Sequence, residues 1–316
     1  MTSRVTVVGS LNMDLVARAP RIPEPGETII GGEFCNVPGG KGANQAVAAA
    51  RIGALVSMVG RVGSDAFAEP LLHNLASDGI DHTFVTRDSE AATGVALIVV
   101  DDVGQNSIVV ASGANMRFSP TDVDAAKAAI AAADVVLLQL ESPLDAVTRA
   151  AEIARAHGVR VVLNPAPARP LPATLLSLVD VLVPNESETE LLTGLPVGDQ
   201  AEAEAAAAAL QEMGVGTVIL TLGERGALLA REGEVTLLPA FDVTPVDTTA
   251  AGDAFVGGLG VALAEGKTLA EAVRWGNAAG ALATTRLGAQ PSLPTRGALE
   301  ALLAKDATKS TGGDSL

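Results

Sequence analysis

"DVVLLQLESPLDAVTRAAEIARAHGVRVVLNPA", residues 134–166, decides the fold. Its first part, "DVVLLQLE", is a short and almost wholly apolar run of strand length. "PLDAVTRAAEIARAHG" follows with apolar residues at helical spacing. "VRVVLNPA" is a second apolar run of strand length. A strand, a helix and a strand in this order make two parallel strands joined by a helical crossover. Runs this continuously apolar belong to strands covered on both faces. Each run ends in a polar residue, Glu141 and Asn164. In open α/β sheets ligands bind outside the carboxyl ends of the strands, so the same stretch points to a site.

The pattern extends in both directions. "RVTVVGS" and "LVSMVGRVG" read as strands before it, with "GANQAVAAARIGA" as a helix between them. "DVLVPNE" and "TVILTLG" read as strands after it and end at Asn185 and Thr221. "SPTDVDAAKAAIAAA" and "AEAEAAAAALQEMG" read as helices. The expected fold class is α/β, a doubly wound and mostly parallel sheet flanked by helices, formed by residues 1–10, 38–91 and 114–305. Two stretches break the alternation. Residues 11–37 are punctuated by Pro and Gly, and residues 92–113 read as a hairpin turning around Asp102 to Gly104. They are expected to form a small antiparallel sheet apart from the main one, a discontinuous β lid over the strand ends. Residues 306–316 are polar and rich in Gly, Ser and Thr, and are expected to be a disordered tail.

Composition removes several classes of function. The formal charge is −16, which argues against non-specific binding to nucleic acid or to an anionic membrane. A local positive site for a nucleotide remains compatible with that envelope. There is no tyrosine and one tryptophan, so the core is aliphatic. Cys35 is the single cysteine and has no partner for an internal disulfide, which fits a reducing compartment. The N-terminal "MTSRVTVVGS" shows no signal-peptide pattern, and no apolar run has the length of a membrane span. A cytoplasmic protein is expected. His73, His82 and His157 show no metal-ligand spacing.

Three corners carry candidate chemistry. "PVDTTAAGDAF", residues 245–255, passes from a strand-like run into a helix-like one. A helix N-terminus offers unpaired N–H groups and partial positive charge. Small residues let a ligand approach that backbone, so Ala250, Ala251 and Gly252 can cradle an anion. Asp253 at the edge of the cradle suits a base that takes a proton from a hydroxyl attacking a phosphoryl group. The same aspartate can instead simply cap the helix. "PGGKGANQAVAAA", residues 38–50, is a glycine-rich turn before a helix and lacks the Walker spacing. "GSLNMDL" offers Asn12 and Asp14 after a strand, as polyol ligands or as turn formers.

Together and in this order the corners resemble the ribokinase branch of the sugar-kinase family, which also holds fructokinase-like and adenosine-kinase-like enzymes. "PGGKGANQAVAAAR" looks like the family's N-terminal signature and "VDTTAAGDAFVGGL" like its C-terminal one. "QLESP", "LNPAPAR", "PNESETELLTG", "TLGERGA" and "RLGAQPS" are similar to further segments of that branch. Pro38 stands where many relatives carry phenylalanine and Ala68 where they usually carry glycine.

The resemblance implies ATP-dependent phosphorylation of the 5-hydroxyl of D-ribose, and a homodimer paired through the lid. It makes Asp253 the base and Ala250, Ala251 and Gly252 the anion hole. It assigns Asn12, Asp14, Gly40, Lys41, Asn44 and Glu141 to ribose. It assigns Asn185, Asn277 and the loop Thr221, Leu222, Gly223, Glu224, Arg225 and Gly226 to ATP, with Gly252. Asn185 and Glu188 resemble an Asn-x-x-Glu motif tied through water to Mg2+. Asp247, Thr249, Ala283, Arg286, Gly288 and Ser292 match a K+ site beside the anion hole. The alternatives are a related kinase acting on 2-deoxyribose, another sugar or a nucleoside, and a catalytically silent sugar-binding protein on the same fold.

Overall fold

The computed structural model describes residues 2–311. In chain order the strands are β1 (Arg4–Val8), β2 (Asn12–Arg18), β3 (Phe34–Gly39), β4 (Leu55–Gly63), β5 (Asp81–Asp88), β6 (Gly94–Val100) and β7 (Asn106–Ala111). They continue as β8 (Val135–Leu138), β9 (Arg160–Leu163), β10 (Val181–Leu182), β11 (Thr217–Thr221), β12 (Ala227–Arg231) and β13 (Glu234–Leu238). The main sheet runs β13-β12-β11-β10-β9-β8-β1-β4-β5. Every pair from β5 to β11 is parallel. From β1 the chain builds outward to β4 and β5 on one side, then returns to β8 and builds the other way. The reversal between β1 and β8 is the topological switch point of a doubly wound sheet, where ligands bind.

The apolar strand runs divide by alternate residue, as a pleated sheet requires. Val5, Val7, Val135, Leu137, Val162 and Ile219 join one core, with the helices Lys41–Arg51, Ala251–Ala264 and Leu269–Thr284. Val8, Val136, Leu138, Val161, Leu163 and Leu220 join the other, with the helices Leu144–Ala156 and Gln200–Glu212. In the alanine-rich helix, Ala203, Ala206, Ala207 and Leu210 face inward.

Four expectations are corrected. The second sheet is mixed, in the order β3-β2-β6-β7, because β2 and β6 pair in parallel. Both strands leave the core at the same edge. Asn12 starts β2 just beyond β1, and Gly94 starts β6 beside Thr93, which is bonded to both carboxylate oxygens of Asp65 (2.7 and 2.8 Å). Strands that depart from one edge in one direction lie parallel. Second, β12 and β13 extend the main sheet as an antiparallel hairpin that the strand–helix alternation did not signal. Third, the helix Arg296–Thr311 carries residues 306–311 of the stretch expected to be disordered. Leu299 is buried in the core and Arg274 Nη2 donates to Asp306 Oδ2 (2.7 Å), which holds the helix past its apolar part. Residues 312–316 lie outside the described residues. "SPTDVDAAKAAIAAA" is also two short helices, Pro120–Ala125 and Lys127–Ala131.

Pro38 lies in β3, an edge of the small sheet, where a missing N–H is tolerated. The small sheet is tied to the core at its root. Asn115 donates to Asn12 Oδ1 (2.8 Å) and to Leu11 O (3.0 Å), and accepts from Leu11 N–H (3.0 Å). On the opposite edge from β3, every residue of β7 is exposed.

Candidate active site

The switch point brings the ends of β1 and β8 side by side, and Ser10 and Glu141 meet there. Ser10 Oγ donates to Glu141 Oε2 (2.5 Å), which also accepts Lys41 N–H (3.1 Å) and, at 3.5 Å, Asn12 Nδ2. The helix Lys41–Arg51 starts at Gly40, whose φ of 88° lies in the left-handed region. A side chain at Gly40 would meet Asn12 N at 2.7 Å, so the turn requires glycine twice over. This close approach carries Asn44 and Gln45 beneath the strand ends.

The second corner enters the same space from the other end of the chain. The helix Ala251–Ala264 begins after Ala250, an alanine with φ of 58°. Left-handed backbone at a residue other than glycine is strained, and such strain clusters at functional turns. Ala251 N–H donates to Thr248 O (3.2 Å) and closes the turn. Ala250, Ala251 and Gly252 then line a cavity of about 220 Å³ with Lys41, Asn185 and Glu188.

Asp253 does not cap its helix. It is 7% exposed, and its carboxylate reaches across to the helix Lys41–Arg51. Asn44 Nδ2 donates to Asp253 Oδ2 (2.9 Å) and Gln45 Nε2 to Asp253 Oδ1 (3.1 Å). Burial pushes its pKa up, against the charge of Lys41 and the two amide bonds, which pull it down. A carboxylate raised in this way is a better acceptor for a hydroxyl proton. Burial works against the charge on Lys41, but Asp253, Glu141 and Glu188 outweigh it and raise the pKa of Lys41. The ammonium is thus held charged beside the cavity that Ala250, Ala251 and Gly252 line.

Asn185 and Glu188 form a reciprocal capping box at the helix Glu186–Thr193 (2.8 and 2.9 Å). Both also line the cavity, so one motif shapes the backbone and presents oxygens. Burial raises the pKa of Glu188, against the Asn185 N–H and the charge of Lys41. Asp247 Oδ1 accepts the Thr249 N–H (2.9 Å) and hydroxyl (2.6 Å), and its Oδ2 accepts Gly288 N–H (2.8 Å). The segments around Thr249 and Gly288 are therefore held together beside the anion turn.

Other predicted residues are used differently. Arg225 turns to Glu186 Oε1 (2.6 Å) and to the carbonyls of Val197 and Gly198, so its guanidinium braces the loop. Leu222 is buried in the core and leaves only its backbone for a ligand. Asn277 spends its amide N–H groups on the carbonyls of Leu238 and Pro239 (3.0 and 3.1 Å). Ala283 and Arg286 fall at the end of the helix Leu269–Thr284, and Ser292 Oγ donates to Ala289 O (2.7 Å). Sequence reasoning missed Gln45, which touches Asp253 directly. Its only signal is its place beside Asn44.

Fold and site together define a carbohydrate kinase. A model of the pfkB family carbohydrate kinases matches residues 2–296, and the chain belongs to that family. It is 47% identical over 296 residues to the ribokinase of Haemophilus influenzae, covering 94% of this chain and 97% of that one. It is 42% identical over 254 residues to a deoxyribokinase of Salmonella typhi, covering 80% of this chain and 83% of that one. The solved structure of Arabidopsis thaliana ribokinase complexed with ribose and ATP matches with a TM-score of 0.89 at 34% identity, covering 96% of this chain and 99% of that one.

Asp14 supplies a pH test of the packed carboxylates. Burial, then Glu141 and Asp253, raise its pKa to about 7 from 3.8. Between those values the folded protein holds a proton that the unfolded chain has released. Stability from this group therefore falls as pH rises from about 4 to about 7. Asp14→Asn is expected to flatten that fall in urea midpoints measured at pH 5 and pH 8. Equal slopes for the two proteins would remove Asp14 from the cluster.

Proposed function

We propose that the chain transfers the γ-phosphoryl group of ATP to the 5-hydroxyl of D-ribose, giving D-ribose 5-phosphate and ADP. The observation that carries this reading is the buried Asp253 carboxylate, held by two amides, beside a helix N-terminus and a charged lysine in one cavity. The similarity to ribokinases over nearly the whole chain supports the substrate. Asn12, Asp14, Gly40, Lys41, Asn44 and Glu141 bind the sugar. Asp253 takes the proton of the 5-hydroxyl as its oxygen bonds to the γ-phosphorus. The bond from that phosphorus to the bridging oxygen breaks, and ADP leaves with the electron pair. The N–H groups of Ala250, Ala251 and Gly252 and the charge of Lys41 stabilise the phosphoryl oxygens. The loop Thr221 to Gly226 and Asn277 border the nucleotide. A deoxyribokinase reading stays open on the Salmonella typhi relative.

No group of three or more His, Cys, Asp or Glu side chains suited to a metal occurs among the described residues. The side-chain oxygens of Asn185 and Glu188, which both line the cavity, fit a magnesium ion bound mainly to water and phosphate and held by them through water. The ion would offset charge on the ATP phosphates. Asp247, with the oxygens of Thr249, Ala283, Arg286, Gly288 and Ser292, is the set we assign to potassium. A single carboxylate among neutral oxygens suits a cation of low charge density.

The small sheet of β2, β3, β6 and β7 is read as a lid, since Asn12 and Asp14 lie where β2 leaves the core. Ile108 (51% exposed) and Val110 (47%) point to one side of it, and Leu97 (49%) and Val109 (62%), paired across β6 and β7, leave the other side an uncovered apolar face. That face fits a second copy of the chain. No helix of the described residues is long and apolar enough to cross a membrane, and we place the enzyme in the cytoplasm with its ATP.

Asp253→Asn is expected to lower kcat by about 10²–10⁴ while ribose and ATP still bind. Normal turnover would reduce Asp253 to a structural residue. Sedimentation equilibrium is expected to give the mass of two chains; a single-chain mass at micromolar concentration would remove the lid interface.

A further inference from the structure

Behind Asp253 lie three glutamines that the transfer does not use. Gln45 and Gln139 are fully buried, and Gln290 is 2% exposed. Burying an amide is unfavourable unless its bonds are made, so each position carries a cost that a leucine would avoid. Gln139 Oε1 has no hydrogen-bond partner among the described residues, yet its Nε2 donates to Gln45 Oε1 (2.6 Å). Gln45 Nε2 in turn donates to Asp253 Oδ1 (3.1 Å) and to Asn164 Oδ1 (3.3 Å). On the other side, Asn74 Nδ2 donates to Gln290 Oε1, and Gln290 Nε2 donates to Asn44 Oδ1 (3.1 Å). Asn44 Nδ2 closes that chain on Asp253 Oδ2 (2.9 Å).

Both chains run in one direction, with every donor toward the carboxylate. The outer amides settle which end of the inner ones faces Asp253. With Gln290 donating to Asn44 Oδ1, the Asn44 NH2 must face the carboxylate. With Gln139 donating to Gln45 Oε1, the same holds for Gln45. Asp253 accepts only and draws the same ends, and without the outer donors the inner oxygens are left buried and unpaired, so the inner amides lose their fixed positions. Aligned amides also polarise one another, so the outer bonds strengthen the inner ones. We propose that Gln139 and Gln290 are positioning residues that lock Gln45 and Asn44 with their N–H groups on Asp253, and so aim the base at the sugar hydroxyl. The proposal rests on reading Asp253 as the base. Gln290 lies two residues beyond Gly288, whose N–H is held by Asp247, so one arm of the lock starts in the loop beside the anion turn.

The test is the pH profile of kcat/KM for ribose at saturating Mg-ATP, for wild type, Gln139→Met and Gln290→Met. Methionine keeps length and volume and removes the donor. Loss of a bond that favours the charged form raises the pKa of the base. Each variant is expected to move the acid limb to higher pH by about half a unit or more and to lower kcat by about tenfold. Folded variants with an unmoved acid limb would overturn the proposal, whatever their rates. Gln290→Leu is the second variant, should methionine prevent folding. It removes the donor to Asn44 without adding charge, and the same upward shift is expected; an unmoved limb overturns the proposal there too. Asp253→Asn separates the two failures. If that variant turns over normally, the base assignment has failed. If it is inactive while the glutamine variants keep the wild-type limb, only the lock has failed.

Discussion

A carboxylate buried between two helices is the constraint on which the rest of this structure turns. Removing Asp253 from water is unfavourable, and it is tolerated because Asn44 and Gln45 each supply an N–H and Lys41 supplies charge. Those partners lie more than two hundred residues away in sequence. The helices Lys41–Arg51 and Ala251–Ala264 must therefore pack together before the base has an environment. Gly257 allows that approach, since a Cβ there would meet Ala48 Cβ at 2.6 Å. The result is a group hidden from bulk solvent yet bordering a cavity lined by a helix N-terminus.

The sheet fixes where this happens. At the switch point, β1 and β8 end side by side while their connections leave in opposite directions, so a crevice opens between them. Ser10 and Glu141 bridge it, and Gly40 lets the first helix start against the backbone of Asn12. Four acidic groups, Asp14, Glu141, Glu188 and Asp253, converge there around one lysine, in a protein already at −16. An acidic site for an anionic nucleotide is consistent if cations accompany the phosphates, and the oxygen-rich positions at Glu188 and Asp247 are where we place them. The strain at Ala250 belongs to the same design, since it bends the chain so that first-turn N–H groups meet the cavity.

Much of this was legible before the structure. Residues 134–166 contain the strand–helix–strand unit as read, because apolar runs of strand length and helical spacing depend on local pattern alone. That Asp253, Lys41, Asn185 and Glu188 are worth following to one cavity was legible because they sit in contiguous motifs at element corners. The parallel pairing of β2 with β6 was not, since it depends on how Thr93 is anchored to Asp65 in the core. The hairpin of β12 and β13 was hidden by a turn of only two residues, Glu232 and Gly233, inside charged sequence. The helix through residues 306–311 was hidden because Arg274 and Asp306 meet only after folding. Gln139 and Gln290 were invisible for a similar reason. A single glutamine in an apolar strand or a Pro-flanked turn carries no local sign that it faces a distant carboxylate.

The central claim is that this buried carboxylate serves phosphoryl transfer to a pentose. The measurement that bears on it most directly is ADP release from Mg-ATP with ribose, 2-deoxyribose, fructose and adenosine offered separately, with and without potassium. The account predicts the highest kcat/KM on ribose, raised by potassium. Ribose binding without ADP release from any of the four would contradict it and leave a sugar-binding protein on a kinase fold.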